Sequence, residues 1–580
     1  MRRARIWFAG VTTLCLALAA AADAPQQPEG ASGYTSKEAV SARRFMVASA
    51  NPLATDAGYE ILGRGGSAID AAIAVQMVLN LVEPQSSGIG GGAFLVHYSG
   101  RERRLTTYDG RETAPAAARP ERFLGADGKP VKFYDAVVGG KSVGVPGLLR
   151  ALDLAHRRHG RLPWAELFQP AIRLAQEGFA VSPRLATLLA KEKYLQRQKA
   201  ARRYFHNPDG SPLQAGQRLR NPEFAATLRA IAQGGADAFY RGDIARDIVA
   251  SVAGAPDNPG DLTLEDLAAY RAVEREPVCG GYRGYKVCGM GPPSSGAVTV
   301  LQILGILERF SLKSAPPVSL MAVHLFSEAG KLAYADRGLY LADPDFVDVP
   351  VRGLLARDYL AQRAALIRYG AAMTKAQPGM PAMKETAWLG QDEPLELPAT
   401  SHISVVDAYG NALAMTTTIE DAFGSRLMVR GFLLNNELTD FSFAPEEDGR
   451  PVANRIEARK RPRSSMAPTI VFDAKGRLCA VLGSPGGSQI INYVAQALVG
   501  LIDWQLDPAQ AAALPHYGSR NGPTELEQGT AAAALADSLK LLGHDVRIME
   551  MTSGTHIIRR QGDKWRGAAD PRREGTARGE

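Results

Sequence analysis

The stretch Pro398-Ala399-Thr400-Ser401-His402-Ile403-Ser404-Val405-Val406-Asp407 decides the fold, because a threonine opens a strand that continues into the apolar, β-branched run 403–407. A second such run occupies residues 412–418, and Ala408-Tyr409-Gly410 lies between the two. Two strand-like runs joined by a three-residue loop that ends in glycine are typical of a β-hairpin with that glycine in the left-handed conformation. The sequence therefore predicts a hairpin that opens at Thr400.

The register of this hairpin brings two threonines together. If Asp407 faces Asn411 at the loop, counting back along both strands places Thr400 opposite Thr418. Directly opposed residues on neighbouring strands have Cβ atoms about 4.5–5.5 Å apart, so the two hydroxyl groups are predicted to meet. An ordinary cross-strand threonine pair is one interpretation, and a chemical role for one hydroxyl is the other.

Thr400 can act as a nucleophile only if a base activates it. One such base is the α-amine of the same residue when that residue begins a chain. An α-amine has a pKa of about 7.7–8.0, which suits a general base near neutral pH. The peptide bond between Ala399 and Thr400 must then first be broken, and the Thr400 hydroxyl can do this by attacking the preceding carbonyl to form an ester that water opens.

Further blocks of sequence lie on both sides of Thr400, in an order that spans nearly the whole chain. They are Glu83-Pro84, Gly88-Ile89-Gly90-Gly91-Gly92, Arg111-Glu112, Gly144-Val145-Pro146-Gly147, Pro292-Pro293-Ser294-Ser295-Gly296, Leu433-Leu434-Asn435-Asn436-Glu437-Leu438-Thr439-Asp440-Phe441-Ser442, Arg461-Pro462-Arg463-Ser464-Ser465-Met466-Ala467-Pro468-Thr469, Gly483-Ser484-Pro485-Gly486-Gly487-Ser488 and Gly567-Ala568-Ala569-Asp570-Pro571-Arg572-Arg573. With these blocks the chain resembles the gamma-glutamyltransferase (gamma-glutamyl transpeptidase) family, whose members are N-terminal nucleophile hydrolases.

The resemblance implies an α/β fold with four layers, an αββα sandwich (the Ntn-hydrolase fold), formed by two subunits from one autoprocessed precursor. The expected division is a signal peptide at residues 1–22, a large subunit at 23–399 and a small catalytic subunit at 400–580. Composition agrees with a processing segment before Thr400, because residues 369–397 are irregular and rich in proline and glycine. Alternating blocks of helix and strand patterns also favour stacked sheets flanked by helices.

Helical patterns occupy much of the chain before Thr400. Residues 52–82 predict two helices separated by Gly65-Gly66, and Ser67-Ala68-Ile69-Asp70 is typical of a capping box for the second. Residues 149–272 and 320–369 also have helical patterns.

The N-terminus predicts export to the periplasm or the medium. Arginines at positions 2, 3 and 5 precede an apolar run at 6–21, and Ala20-Ala21-Ala22 offers small residues for signal cleavage. No later stretch has the roughly 20 apolar residues of a membrane span, so no membrane association is expected after signal removal. The 580 residues carry a formal charge of +7, but the basic residues of the mature chain are mostly interleaved with acidic ones, so no nucleic-acid partner is expected.

Two cysteines, Cys279 and Cys288, flank Tyr282-Arg283-Gly284-Tyr285. If Arg283-Gly284 is a two-residue turn, the cysteines face each other at a non-hydrogen-bonded pair. Such a pair can hold a disulfide in an oxidising compartment, and two unpaired thiols are the alternative. Cys479 lies in an apolar run and is expected to be an inert core residue.

A second hairpin is predicted at residues 469–482, again around a three-residue loop that ends in glycine, Gly476. Its register places Ser465 opposite Pro485. The turn Gly486-Gly487 should therefore lie beside the two serines of the preceding block. The backbone amides of a tight glycine turn can stabilise an oxyanion, a contribution of about 2.7–4 kcal/mol per donor. The resemblance assigns this role to Gly486 and Gly487, and a structural turn is the alternative.

The resemblance also implies a set of substrate-binding residues. A γ-glutamyl group carries an α-carboxylate and an α-ammonium beside the scissile amide. Arg111 can hold the carboxylate through a bidentate fork, with help from the hydroxyls of Ser464 and Ser465. Glu437 and Asp440 can neutralise the ammonium. Taken alone, each of these charged residues is more often a solvated surface charge.

Thr418 is implied to orient the Thr400 hydroxyl by a hydrogen bond. Two positions after it the family usually has asparagine, whereas this chain has Glu420. A third carboxylate is expected either to strengthen binding of the ammonium or to shift the pocket towards another acyl group. Residues 443–463, which cover the site in family members with a lid, are charged and have no aromatic after Phe443, so more open access is expected.

The resulting hypothesis is an exported, self-processing γ-glutamyl hydrolase and transferase that cleaves glutathione and related γ-glutamyl amides through an ester on Thr400. The acyl group then passes to water or to an amino-acid or peptide acceptor. The expected partners are these small molecules and the two subunits of a heterodimer, with no cofactor and no metal. The alternatives are an acylase of the same fold for a non-glutamyl acyl group or polyglutamate, and an unprocessed, catalytically silent binding protein.

Overall fold

A computed structural model of the chain describes residues 30–383, 388–392, 397 and 399–580. The signal peptide expected at residues 1–22 lies outside the described residues. No helix in the described ranges is both long enough and apolar enough to cross a bilayer.

The predicted hairpin forms the centre of a seven-stranded antiparallel sheet, here called the first sheet. In spatial order its strands are Thr576–Gly579, Met46–Ser49, Ser401–Val406, Ala412–Thr418, Gly92–Ser99, Arg104–Gly110 and Val273–Arg275. Four of these strands precede Thr400 in the sequence and three follow it. The two sides of the predicted cleavage point are therefore hydrogen-bonded into one sheet.

A second antiparallel sheet of seven strands packs against the first. In spatial order its strands are Val40–Ala42, Lys564–Ala569, His556–Gln561, Leu478–Gly483, Thr469–Phe472, Tyr285–Gly289 and Val278–Tyr282. Shorter strands lie outside both sheets: Phe179–Ala180 with Arg218–Leu219, Met428–Val429 with Phe432–Leu433, Glu446–Glu447 with Arg450–Pro451, and the set Tyr517–Ser519, Thr524–Glu527 and Val546–Met549.

Helices cover the outer faces of both sheets. The described α-helices are Pro52–Gly63, Ala68–Val82, Phe133–Val137, Leu148–His159, Gln169–Glu177, Pro183–Lys191, Lys199–Phe205, Pro222–Gly234, Asp237–Tyr240, Gly242–Ala253, Leu264–Ala269, Gly296–Leu307, Leu320–Tyr340, Val351–Leu354, Arg357–Ala364, Ile490–Ile502, Pro508–Ala512 and Ala536–Leu541. The predicted break after the first helix is confirmed, and Ser67 and Asp70 form the predicted capping box.

The central hairpin shows how the layers are held together. Ile403 and Val405 belong to the apolar core shared with the helix Ala68–Val82, whereas Val406 and Ala414 belong to the core between the two sheets. Both faces of the hairpin are thus buried, and burial of alternate side chains on opposite faces fixes its register. The order of layers is helix, sheet, sheet, helix, which confirms the expected αββα sandwich.

The register of the central hairpin is the predicted one. The Asp407 amide donates to the Asn411 carbonyl at 3.0 Å, and Ser401 pairs with Thr417 at the far end. Gly410 has a φ of 82°, the left-handed conformation that the loop requires.

The register predicted for the second hairpin is wrong by one residue. Thr469 pairs with Leu482 because a bulge at Cys479 shifts the register between Val471 and Phe472. An extra residue on one strand moves every pair beyond it by one. The ladder ends at the pair Thr469 and Leu482, so the predicted pair of Ser465 and Pro485 lies beyond it.

Cys279 and Cys288 pair directly across the strands Val278–Tyr282 and Tyr285–Gly289, and their sulfur atoms are bonded at 2.08 Å. Of the two alternatives left open by the sequence, the structure therefore has the disulfide. Cys479 is half-buried at the bulge.

Candidate active site

Thr400 and Thr418 lie side by side at the end of the central hairpin. Their Oγ1 atoms are 3.4 Å apart, and both residues are buried. Thr418 Oγ1 also accepts from the amide of Glu420 at 2.8 Å, which fixes the position of that hydroxyl. Thr400 has a φ of 147°, a conformation that residues with a side chain rarely adopt. Backbone strain of this kind typically costs about 1–3 kcal/mol and is concentrated at functional sites.

A small cavity of about 20 Å³, here called the inner cavity, opens beside Thr400. It is lined by Arg111, Leu397, Ala399, Thr400, Thr418, Glu420, Glu437, Asp440, Ser464, Ser465, Met466, Gly487 and Ile490. Nine of the ten residues predicted for catalysis and substrate binding are in this lining, and Gly486 is adjacent to it. A volume of this size holds about one water molecule. The cavity is small because Leu397 and Ala399 of the uncleaved chain occupy the space beside Thr400.

Arg111 is the only arginine in the lining of the inner cavity, and its side chain is 1% exposed. Its guanidinium forms ion pairs with both Glu437 and Asp440. It also donates to the backbone carbonyls of Pro462 at 3.1 Å and Arg463 at 2.9 Å. The sequence assigned these carboxylates and Arg111 to opposite charges of one substrate, and the structure places them in direct contact with one another.

Glu420 adds a third carboxylate to the inner cavity. It accepts hydrogen bonds from Asn436 Nδ2 and, at 3.4 Å, from Thr439 Oγ1. Burial, followed by the charges of Asp440 and other nearby carboxylates, raises the pKa of Glu420 well above its usual value. A cation placed here would lower that pKa again, because an opposite charge favours the ionised form.

Glu112 is a buried carboxyl that the sequence analysis did not assign to the site. Burial and the charge of Glu437 raise its pKa well above the usual range, and burial also raises the pKa of Glu437. Both Glu112 oxygens and Glu437 Oε2 lack hydrogen-bond partners among the described residues. The raised pKa of both carboxyls favours their neutral forms, because two buried negative charges so close together are costly.

The two serines are held by groups from distant parts of the chain. Arg337 Nη2 donates to Ser465 Oγ at 2.7 Å, and Arg337 Nε donates to Ser295 Oγ at 2.9 Å. Ser464 Oγ accepts from the Met466 amide at 3.1 Å, and the Ser464 carbonyl accepts from the Ser295 amide at 2.7 Å. Arg337 thus fixes the Ser465 hydroxyl, a contact that no motif or spacing predicts.

The glycine turn lies at the start of the helix Ile490–Ile502 and follows the strand Leu478–Gly483. Gly486 and Gly487 have φ values of 140° and 57°, and a Cβ on Gly486 would lie 2.6 Å from the Tyr493 ring. Glycine is therefore required for the turn itself.

A wider cavity of about 520 Å³, here called the outer cavity, adjoins the inner one. It is lined by Val131, Phe133, Lys375, Gln391, Asp392, Thr439, Ser442, Phe443, Ala444, Glu447 and Val452. Thr439 lines the outer cavity and its neighbour Asp440 lines the inner one. The short hairpin Glu446–Glu447 and Arg450–Pro451 contributes one wall, within the charged segment expected to give open access.

One group of side chains with metal-ligating atoms lies away from both cavities. The ligand atoms of His324, Glu328 and His544 are within 4.8 Å of one another. His324 Nδ1 and His544 Nε2 share a hydrogen bond of 2.8 Å, and Lys331 Nζ donates to Glu328 Oε1 at 2.8 Å. Because these polar atoms satisfy one another and Lys331 brings its own positive charge, we assign the group a structural role.

Comparison with known proteins places these features in a family. A model of the gamma-glutamyltranspeptidase family matches residues 54–580. The chain is 36% identical to a glutathione hydrolase proenzyme of Bacillus subtilis (strain 168) over 99% of both chains. It is also 37% identical to the acylase ACY 1 proenzyme of Pseudomonas sp. (strain SE83), over 93% of this chain and 94% of that one.

The fold has a counterpart among solved structures. The cephalosporin acylase of Bacillus halodurans superposes with a TM-score of 0.82 at 29% identity, over 94% of this chain and 97% of that one. The match of the family model over most of the sequence, together with relatives of full length, supports one conclusion. The chain belongs to the gamma-glutamyltranspeptidase family.

Proposed function

We propose that the chain is a precursor that breaks its own peptide bond between Ala399 and Thr400 and then acts as a γ-glutamyl hydrolase and transferase. The observation that carries this proposal is the buried contact between the Thr400 and Thr418 hydroxyls beside a cavity lined by Arg111 and three carboxylates. An ordinary structural threonine pair needs no such surroundings. Relatives described as proenzymes support the cleavage step.

The cleavage uses only groups at the junction. Thr400 Oγ1 attacks the carbonyl carbon of Ala399, the bond to the Thr400 nitrogen breaks, and that nitrogen takes up a proton to become an amine. Water then hydrolyses the resulting ester, which releases the Ala399 carboxylate and restores the Thr400 hydroxyl. The unusual φ of Thr400 favours this reaction, because strain held in the uncleaved chain is released when the bond breaks.

In the cleaved protein the α-amine of Thr400 takes the proton of its own hydroxyl while Oγ1 attacks the γ-carbonyl of the substrate. The amide amine leaves with that proton, and a γ-glutamyl ester remains on Thr400. Water or a second amine then attacks the ester. Thr418 holds Oγ1 in position, and the amides of Gly486 and Gly487 stabilise the oxyanion formed in each step.

The charges of the inner cavity fit the free end of a γ-glutamyl group. Arg111 and the hydroxyls of Ser464 and Ser465 receive the α-carboxylate, which requires Asp440 to turn from Arg111 to the α-ammonium. Glu437 remains on Arg111 and keeps the guanidinium in place. Glu420 adds a further negative charge for the ammonium, since a nearby cation favours its ionised form.

The fragments 23–399 and 400–580 should stay together as a heterodimer after cleavage. The large-subunit strand Met46–Ser49 lies between the small-subunit strands Thr576–Gly579 and Ser401–Val406 and is hydrogen-bonded to both. Separation would break these ladders and expose the core between the sheets. The signal peptide predicted at residues 1–22 and the disulfide support export to the periplasm or the medium.

A second candidate is an acylase for a side chain without an ammonium group. Relatives described as acylases favour it. Against it stand the three carboxylates of the inner cavity, because an acyl group that carries only a carboxylate would leave them without a cation. A silent, unprocessed binding protein is the third candidate, and it requires the junction to stay intact.

The experiment that tests the proposal combines mass spectrometry of the purified protein with turnover of matched substrates. Wild type should give a fragment that begins at Thr400, and Thr400→Ala should give one uncleaved chain with no turnover. Ser401→Ala is the matched control, because its buried hydroxyl has no hydrogen-bond partner among the described residues. A γ-glutamyl anilide should be cleaved in preference to a glutaryl anilide, which lacks the ammonium. Cleavage of Thr400→Ala would reject the assignment of the nucleophile, and the reverse substrate preference would favour the acylase.

A further inference from the structure

Arg573 contacts the main chain of Thr400, and no step of the proposed function uses it. Its Nη1 donates to the Thr400 carbonyl at 3.3 Å, and its Nε donates to the Ser553 carbonyl at 3.0 Å. Arg573 is 3% exposed. Gly554 leaves room for this side chain, because a Cβ on that glycine would lie 2.8 Å from Arg573 Cδ. The guanidinium is therefore held in one place beside the candidate nucleophile.

The two carbonyls that Arg573 holds belong to different sheets. Thr400 directly precedes the first-sheet strand Ser401–Val406, and Ser553 lies shortly before the second-sheet strand His556–Gln561. One buried guanidinium therefore ties the first residue of the predicted small subunit to the sheet that packs against it. Arg573 and Ser553 belong to the same predicted subunit as Thr400, so cleavage leaves this tie within one fragment.

Cleavage would turn Thr400 into a chain end, and chain ends are mobile unless they are tied down. The ladder with the neighbouring strand begins at the pair Ser401 and Thr417, so Thr400 itself lies beyond it. The contact of its hydroxyl with Thr418 Oγ1 is 3.4 Å long. The hydrogen bond from Arg573 to the Thr400 carbonyl does not depend on the preceding peptide bond. Such a tie affects turnover, since a reacting group displaced by about 1 Å can lose about 100-fold in rate.

We propose that Arg573 is a positioning residue for the nucleophile: by holding the Thr400 carbonyl, it keeps the new chain end in place with Oγ1 beside Thr418. The inference rests on the proposed function, because it requires Thr400 to become an N-terminal residue. Arg573 lines neither the inner nor the outer cavity, so it acts on the main chain of Thr400 and not on the substrate. Its loss should therefore lower kcat and leave KM nearly unchanged.

The place of the Arg573 side chain can be reached from solution. Arg573 lines a further cavity of about 450 Å³, here called the back cavity, whose lining also includes Gly33 and Thr35. Because Gly33 and Thr35 are exposed, the back cavity opens to solvent. Arg573→Ala should therefore leave a space that a free guanidinium ion can enter.

Arg573→Met tests the positioning role, because methionine fills most of the space but cannot donate a hydrogen bond. For a γ-glutamyl anilide, kcat per molecule of cleaved protein should fall about tenfold, the size of a lost charged hydrogen bond, and KM should change less than about twofold. Arg573→Lys should fall less, about threefold, because its one nitrogen keeps the charge but cannot donate to both carbonyls. Arg578→Met changes an exposed arginine of the same C-terminal segment and should keep wild-type kinetics as the matched control.

Chemical rescue separates positioning from a merely structural role. In Arg573→Ala, guanidinium chloride at concentrations far below those that unfold proteins should raise kcat several-fold, because the ion restores the donor to the Thr400 carbonyl. Sodium chloride at the same concentration should not raise kcat, and wild type should respond to neither salt. If Arg573→Ala remains uncleaved, guanidinium should restore cleavage of the precursor, since the attack of Thr400 Oγ1 on Ala399 needs the same placement.

A wild-type kcat in Arg573→Met, or no response of Arg573→Ala to guanidinium, would overturn the proposal. If neither variant folds, Arg573→Lys decides: a lower kcat at unchanged KM supports the positioning role, and a wild-type kcat contradicts it. Failure of the proposed function has a different signature, because wild type itself would then lack a fragment that begins at Thr400 or would not turn over γ-glutamyl substrates.

Discussion

The inner and outer cavities adjoin each other but are built differently. The inner cavity has a volume of about 20 Å³ and is lined by buried charges, among them Arg111 and Glu437, that contact one another directly. The outer cavity has a volume of about 520 Å³ and is lined by aromatic rings such as Phe443 and by exposed side chains such as Glu447. The inner cavity is therefore defined by buried charges that contact one another, and the outer cavity by its shape and its exposure to solvent.

This difference indicates how specificity is divided between the two halves of the substrate. Buried, preorganised charges discriminate strongly, because a mismatched group leaves them unpaired in a medium of low dielectric constant. A wide and partly solvated cavity discriminates weakly. The acyl half should therefore be recognised strictly and the amine half loosely.

Arg111→Lys is expected to give the largest kinetic effect among variants that still process. Lysine keeps the charge but cannot form the planar fork, so KM for a γ-glutamyl anilide should rise about 30-fold, the equivalent of about 2 kcal/mol. Arg122→Lys is the matched control, since Arg122 forms a two-bond fork with Asp261 outside both cavities. Unchanged kinetics in Arg111→Lys would remove Arg111 from substrate binding.

Glu420→Gln should have a smaller effect that depends on pH. The pKa of Glu420 is raised by burial, so at low pH the wild-type side chain is neutral and resembles glutamine. As the pH rises the carboxylate ionises and attracts the substrate ammonium, which glutamine cannot do. The ratio of wild-type to variant kcat/KM for a γ-glutamyl anilide should therefore grow with pH, to about tenfold. A ratio that is independent of pH would show that Glu420 does not act by its charge.

Glu112→Gln should change stability more than turnover. Burial raises the pKa of Glu112 well above its ordinary value of 4.5, so the folded protein holds a proton that the unfolded chain releases as the pH rises past that value. Wild-type stability conferred by this proton is complete at low pH and is lost as the pH rises through the folded-state pKa. Glutamine does not titrate, so its apparent Tm should exceed that of wild type by about 2–4 °C at pH 8 and by less at pH 5.

The exposed residue Glu446 supplies the control for this measurement, because Glu446→Gln should leave the pH dependence of the apparent Tm parallel to that of wild type. A Glu112→Gln curve that also runs parallel would rule out a proton held by Glu112.

The central hairpin could be predicted in full, whereas parts of the site could not. Its register follows from the loop and from two strands that are buried on both faces. The pairing runs from Ser401 to Val406 without a register shift. The second hairpin departs by one residue at Cys479, because a bulge is set by packing rather than by the loop. The contacts of Arg337 and Arg573 were missed since their partners lie 128 and 173 residues away in the sequence, and no local pattern records such contacts.

The predicted site residues themselves came from motifs, and the structure gathers them around one small cavity. The ion pairs that these residues form with one another could not be predicted from the motifs. The pairing of Arg111 with Glu437 and Asp440, and the second carboxyl at Glu112, depend on how the segments fold together.

Glu447→Gln should give the smallest effect and provides the sharpest comparison with Glu420→Gln. Both changes neutralise one carboxylate, but Glu447 is exposed on the wall of the outer cavity, whereas Glu420 is buried beside Thr418. Exposed charges contribute about 0–1 kcal/mol because water screens them, so kcat/KM for a γ-glutamyl anilide should change less than about threefold at every pH. An effect as large and as pH-dependent as that of Glu420→Gln would mean that the outer cavity also recognises charge, and the division of specificity drawn from the two cavities would then fail.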